Sequence, residues 1–131
     1  MKTFHHLALN CRDRNASEQF YAKHFGFRRV RVFYEGTANE FVMLRQENAC
    51  LELFSSKPEN RTLTGQEQPV GFTHFCFEVD DMESAVAELE ADGIETEGIV
   101  DASGILEGLQ VCFFKDPDGN RLEFLKGYRD Q

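Results

Sequence analysis

The sequence predicts an α+β protein assembled from two βαβββ modules, and three observations carry the prediction. The first is an internal repeat. His6-Leu7-Ala8-Leu9-Asn10-Cys11 leads through Arg12-Asp13-Arg14-Asn15 into a helical run ending at Gly26. His74-Phe75-Cys76-Phe77-Glu78-Val79 leads through Asp80-Asp81-Met82-Glu83 into one ending at Gly93. His to Gly spans 20 residues in one half and 19 in the other. The second observation is that each helical run is bounded by capping chemistry. The third is that both halves close on the same pattern, Leu51-Glu52-Leu53 and Leu122-Glu123-Phe124.

In chain order, the first strand alternates Leu7, Leu9 and Cys11 on one face with His6, Ala8 and Asn10 on the other. Asp13 or Asn15 caps the first helix by accepting from its unpaired N–H groups. Ala16, Phe20, Tyr21 and Phe25 recur at helical spacing, and Gly26 fits the left-handed position past the end. Strand-like runs follow at 29–34, 41–45 and 49–54. In the second half Phe75, Phe77 and Val79 oppose His74, Cys76 and Glu78, and Asp80 or Asp81 caps a helix. That helix buries Met82, Ala85, Val86 and Leu89 and leaves Glu83, Glu88 and Glu90 wet. Strands are expected at 96–100, 109–115 and 121–125. The last two are joined by Asp116-Pro117-Asp118-Gly119-Asn120, where Pro sets φ and Gly takes a positive one. The whole chain, 1–131, reads as one domain: module one about 1–56, a polar linker about 57–71 with Pro58, Gly65 and Pro69, and module two about 72–131.

Composition narrows the function. At 131 residues, 41% hydrophobic and 28% charged, the chain is globular in type. A net charge of −9 opposes non-specific nucleic-acid binding and attraction to anionic lipid. There is no apolar run of 18 residues, and the first strand pattern begins almost at Met1, so a cytoplasmic location is expected. Cys11, Cys50, Cys76 and Cys112 form no Cys-x-x-Cys pair and read as reduced small hydrophobes.

The recurring His and Glu are the chemical signal. His6 to Glu52 is 46 residues and His74 to Glu123 is 49. Each Glu is flanked by large apolar neighbours that point to the opposite face, and a carboxylate buried there without a partner would cost several kcal/mol as an order of magnitude. A lone strand His is ordinarily a hydrogen-bonded structural residue, and a lone strand Glu a solvated charge. Two matched pairs in a duplicated frame point instead to a divalent metal held by His6, Glu52, His74 and Glu123. Imidazole nitrogen and carboxylate oxygen suit Ni, Co, Zn, Mn or Fe, and four ligands leave positions for a substrate oxygen. His5 ranks behind His6 because its face carries Leu7 and Leu9, and His24 reads as a surface or packing residue of the first helix. Arg121 and Lys115 stand at strand ends, where cations are usually solvated but can meet an anionic substrate.

Taken together, His6-Leu7-Ala8-Leu9, Leu51-Glu52-Leu53, Thr73-His74-Phe75 and Asp116-Pro117-Asp118-Gly119-Asn120-Arg121-Leu122-Glu123 resemble the vicinal oxygen chelate superfamily over essentially the whole chain. Within it the chain is similar to bacterial glyoxalase I. The resemblance implies paired modules forming a curved, incompletely closed mixed sheet around a metal-binding cavity. It also implies a homodimer in which His6 and Glu52 of one subunit face His74 and Glu123 of the other. The implied reaction is proton transfer through a metal-bound enediolate of a small vicinal-oxygen substrate, such as a 2-oxoaldehyde–thiol hemithioacetal, with Glu123 as base and Glu52 as its partner. Glyoxalase I-like chains usually carry Arg four residues after the first His and Asn four after the first Glu; here Asn10 and Ser56 stand instead. The same scaffold also hosts Fe(II) extradiol dioxygenases, thiol transferases that confer antibiotic resistance, and non-enzymatic small-molecule binders. The two enzyme alternatives need two His and one Glu, which leaves Glu52 unexplained.

Overall fold

The computed structural model describes residues 4–56 and 74–130, and the expected linker at 57–71 lies outside them. The chain divides into two compact units, Met1–Leu63 and Thr64–Gln131. The first holds β1 (Leu7–Cys11), α1 (Arg14–Phe25), β2 (Arg28–Phe33), β3 (Phe41–Gln46) and β4 (Ala49–Ser55). The second holds β5 (Phe75–Glu78), α2 (Met82–Ala91), β6 (Thr96–Asp101), β7 (Gln110–Lys115) and β8 (Arg121–Lys126). Each unit is therefore βαβββ, with strands in the order β1-β4-β3-β2 and β5-β8-β7-β6. In both, the first strand runs parallel to the last and the remaining neighbours are antiparallel, so each sheet is mixed and four-stranded. Neither sheet closes into a barrel.

The helix ends follow from local chemistry. Asp13 and Asp81, not Asn15 or Asp80, are the caps: each has extended backbone and a carboxylate accepting from an N–H three residues on, Ala16 and Ser84 at 3.1 Å. Gly26 ends α1 at φ 71°, in the left-handed region, and its N–H returns to the Ala22 carbonyl.

One face of each sheet is covered by its helix. In the first unit Tyr21, Val42, Leu44 and Leu53 are wholly removed from water; in the second Phe114, Leu122, Met82 and Leu89 are nearly so. Each such side chain contributes about 1.5–3 kcal/mol of burial free energy. Ser17 is buried in α1 where the helical pattern pointed to Ala16, which is only half-buried. On the opposite face of the first sheet, Phe33, Phe41 and Phe54 stack across three strands with centroids 4.6 and 4.4 Å apart. The second strand of each sheet carries a bulge, between Arg29 and Arg31 in β2 and between Thr96 and Ile99 in β6, so the duplication extends to an irregularity.

Candidate metal centre

Parallel pairing of the first and last strands brings each His to its Glu. In the first unit Ala8 faces Glu52 and Leu7 faces Leu51; in the second Cys76 faces Glu123 and Phe75 faces Leu122. In both, the His lies two residues before the partner of the Glu, on the same face and just ahead of its strand. The difference between 46 and 49 residues of separation is absorbed in the intervening loops, because register alone sets the pairing. His6 Nε2 stands 3.2 Å from Glu52 Oε2, and His74 Nε2 stands 2.9 Å from Glu123 Oε2.

Those distances bear on whether the residues suit a metal. Two ligands meeting one ion at a right angle, through bonds of about 2.1 Å, stand about 3 Å apart. Each pair has that spacing, the right donor atoms, and partial access: the imidazoles are about a third exposed, while Glu123 is 8% exposed. The ligands come together in twos. Among the described residues no group of three or more His, Cys, Asp or Glu side chains gathers in a form that could hold an ion.

The surroundings of the pairs differ. Behind His6, Nδ1 is hydrogen-bonded to Nδ1 of His5 at 2.9 Å. His5, which ranks behind His6 as a ligand, thus touches the nitrogen of His6 that is not paired with Glu52. A ligating His whose second nitrogen is hydrogen-bonded is fixed in tautomer and ring orientation. The ring of His74 meets Phe113 edge-on at 5.2 Å, and Phe113 lies directly opposite Glu123 in the β7–β8 ladder. Cys76, also opposite Glu123, has its thiol pushed up to about 12 by burial and by the carboxylates of Glu123 and Glu78. It holds its proton at neutral pH.

Asp116 was legible only as the start of a turn. It is buried and accepts from the backbone N–H groups of Asp118 and Asn120 at 2.9 Å and from Asn120 Nδ2 at 2.8 Å. With Gly119 at φ 86°, this knot feeds the chain into β8 and so aims Glu123. The signal available in the sequence was an Asp followed by Asn four residues later across Pro-Asp-Gly.

The other candidates take simpler places. Asn10 is exposed on the His6 face of β1, and Ser56 extends the β1–β4 ladder through its N–H to the Cys11 carbonyl at 2.9 Å. His24 packs on Phe20 at 5.3 Å. Lys115 is exposed, whereas Arg121 lies with its guanidinium carbon 3.8 Å from the Phe113 ring centre. All four cysteines are free thiols. No helix is long and apolar enough to cross a membrane among the described residues.

Comparison with known proteins agrees with this architecture. The chain is 34% identical to the uncharacterized protein YwkD of Bacillus subtilis (strain 168), covering 94% of this chain and 95% of that one. The crystal structure of a glyoxalase family protein from Enterococcus faecalis superposes with a TM-score of 0.78 at 31% identity, over 95% and 97% of the two chains. A lactoylglutathione lyase structure from Agrobacterium tumefaciens matches with a TM-score of 0.68 at 27% identity, over 97% and 95%. The sequence profile of the Glyoxalase/Bleomycin resistance protein/Dioxygenase superfamily matches residues 3–124, and the chain belongs to that family.

Proposed function

We propose that this protein is a glyoxalase I-like, metal-dependent lyase or isomerase that moves a proton between adjacent carbons of a small vicinal-oxygen substrate. Its site is a quartet of His6, Glu52, His74 and Glu123, drawn in pairs from two copies of the chain and holding one divalent ion of the Ni, Co, Zn, Mn or Fe type. The observation that carries this is the recurrence, by the same strand register, of a His–Glu pair with ligand-like spacing in both units. Each pair alone has too few donors for an ion, and the two together have enough to leave positions open. Similarity to a protein named lactoylglutathione lyase supports the reaction class.

When bound, the ion would supply Lewis acidity toward two adjacent substrate oxygens and so acidify the neighbouring C–H. The residues do the rest. Glu123, acceptor-only when ionised and nearly enclosed, takes the carbon-bound proton and returns it to the next carbon. On a hemithioacetal the hydroxyl proton passes to the former carbonyl oxygen, and a hydroxy-acid thioester results with no oxidant or reductant consumed. Glu52, in the matching place, is the partner base. His6 and His74 hold position, His6 through His5. Dioxygenase-like and thiol-transferase-like readings, which need two His and one Glu, leave Glu52 without a task.

The test is metal analysis of purified protein, then turnover of methylglyoxal plus glutathione with each metal added. We expect bound divalent metal and metal-dependent thioester formation, with Glu123→Gln slowing turnover by about 100-fold or more. Full metal retention by both His74→Ala and Glu123→Ala would refute the quartet. No turnover with any metal would refute the hemithioacetal as substrate.

A further inference from the structure

We propose that Arg121 forms an anion subsite beside the Glu123–His74 pair, so that the substrate carries a carboxylate or similar oxyanion a few bonds from its two vicinal oxygens. The inference rests on the metal-dependent reading above and specifies the substrate class of that site.

Strand alternation puts Arg121 and Glu123 on one face of β8, two residues or about 7 Å apart. The register puts Phe113 opposite Glu123 on that same face. The Arg121 guanidinium lies over Phe113 at 3.8 Å, while the Phe113 and His74 rings stand nearly perpendicular with centroids 5.2 Å apart. A solvated strand-end cation samples many rotamers. This one rests over an aromatic face, which restrains its donor fork. Arg121, Phe113, His74 and Glu123 are thus one contiguous cluster.

The fork is only half committed. Nε and Nη2 point to the Glu97 carboxylate at 3.1–3.4 Å, and Nη1 bonds to none of the described residues. The Glu97 pair is open to water, with side chains 42% and 59% exposed, and exposed pairs of this kind hold weakly. A substrate oxyanion can take Nη1 and compete for Nη2, since planar two-point recognition of oxyanions is what a guanidinium does best.

The duplicated half arranges its cation differently: Arg31, on the rung of Met43 and Glu52 but two strands from the Glu, lies with its guanidinium carbon 5.6 Å from the Phe33 ring centre. Two residues before Glu52 stands Cys50 rather than a cation, and Met43 rather than an aromatic faces Glu52. The face around Glu52 carries the Phe41–Phe54 stack instead. A cation on the same strand and face as the Glu, two residues before it, is thus a feature of the Glu123–His74 pair and not of the Glu52–His6 pair.

The experiment uses full-length, nickel-loaded protein titrated calorimetrically with acetohydroxamate and with succinamohydroxamate, which adds a carboxylate on a two-carbon arm to the same vicinal-oxygen group. We expect the carboxylate to tighten binding about tenfold. That advantage should vanish in Arg121→Met, shrink in Arg121→Lys and grow severalfold in Glu97→Gln, where the competing carboxylate is gone. Equal affinities in the unaltered protein, or an advantage that survives Arg121→Met, would overturn the subsite while leaving the metal reading intact. Failure of acetohydroxamate itself to bind would sink the metal reading and the subsite with it. If Arg121→Met does not fold, the unaltered protein and Glu97→Gln decide the matter alone.

Discussion

Glu40 shows how single side chains tie an irregular segment to this scaffold. It accepts from the Gly36 N–H at 2.8 Å and pairs with Arg14 at the start of α1, while Arg14 also donates to the Glu40 carbonyl at 2.8 Å. The Gly36 N–H first, and then Arg14, holds its carboxyl below the ordinary carboxylate range. A carboxylate with a depressed folded-state pKa stabilises the fold above its unfolded pKa, and that stability is lost as pH falls through the folded value. Urea midpoints should therefore drop as pH falls below about 4.5, and Glu40→Gln should flatten that drop. An unchanged pH slope in Glu40→Gln would mean the contacts do not matter. Asp116 belongs to the same scale: Asp116→Ala removes three bonds from a buried turn and should cost about 2–4 kcal/mol by denaturant unfolding. It should also lower metal affinity, since the turn aims Glu123.

At the level of elements, helices and turns follow short-range rules that the chain states openly. Gly26 and the Asp-Pro-Asp-Gly-Asn turn read correctly, and each cap, Asp13 and Asp81, was narrowed to two candidates, because each acts within four residues of itself. Asp13→Ala and Asp81→Ala should each lower stability by about 1 kcal/mol, with rescue by Ser. A cap variant indistinguishable from the parent in thermal unfolding would contradict the geometry. What escaped the pattern was Ser17 in the core of α1, because a side chain that small fits a helix–sheet interface as readily as Ala does. The two bulges were equally hidden, since an extra residue in one strand is defined only against its neighbour.

For the whole molecule, the net charge of −9 conceals a division. Through Leu63 there are ten Lys and Arg against seven Asp and Glu, and from Thr64 onward four against sixteen. In the proposed two-copy quartet, units of opposite sign would attract between copies, and that steering would weaken with salt. If the quartet is drawn from two copies, a His6→Ala/Glu52→Ala protein and a His74→Ala/Glu123→Ala protein should each bind no metal. Mixed, they should recover intact sites, and faster at low ionic strength. Absence of recovery in a mixture shown to exchange subunits would argue against sharing.

The order of elements, the helix stops, the duplication and the four residues proposed as ligands could be read along the chain. These are properties of spacing and side-chain chemistry along the chain. That His6 meets Glu52 and His74 meets Glu123, that His5 backs His6 and that Arg121 lies on Phe113 emerged in the folded arrangement. Those relations depend on which strands become neighbours and in what register. Residues far apart in the chain are brought side by side by burial of whole faces, a cooperative choice that no local stretch encodes.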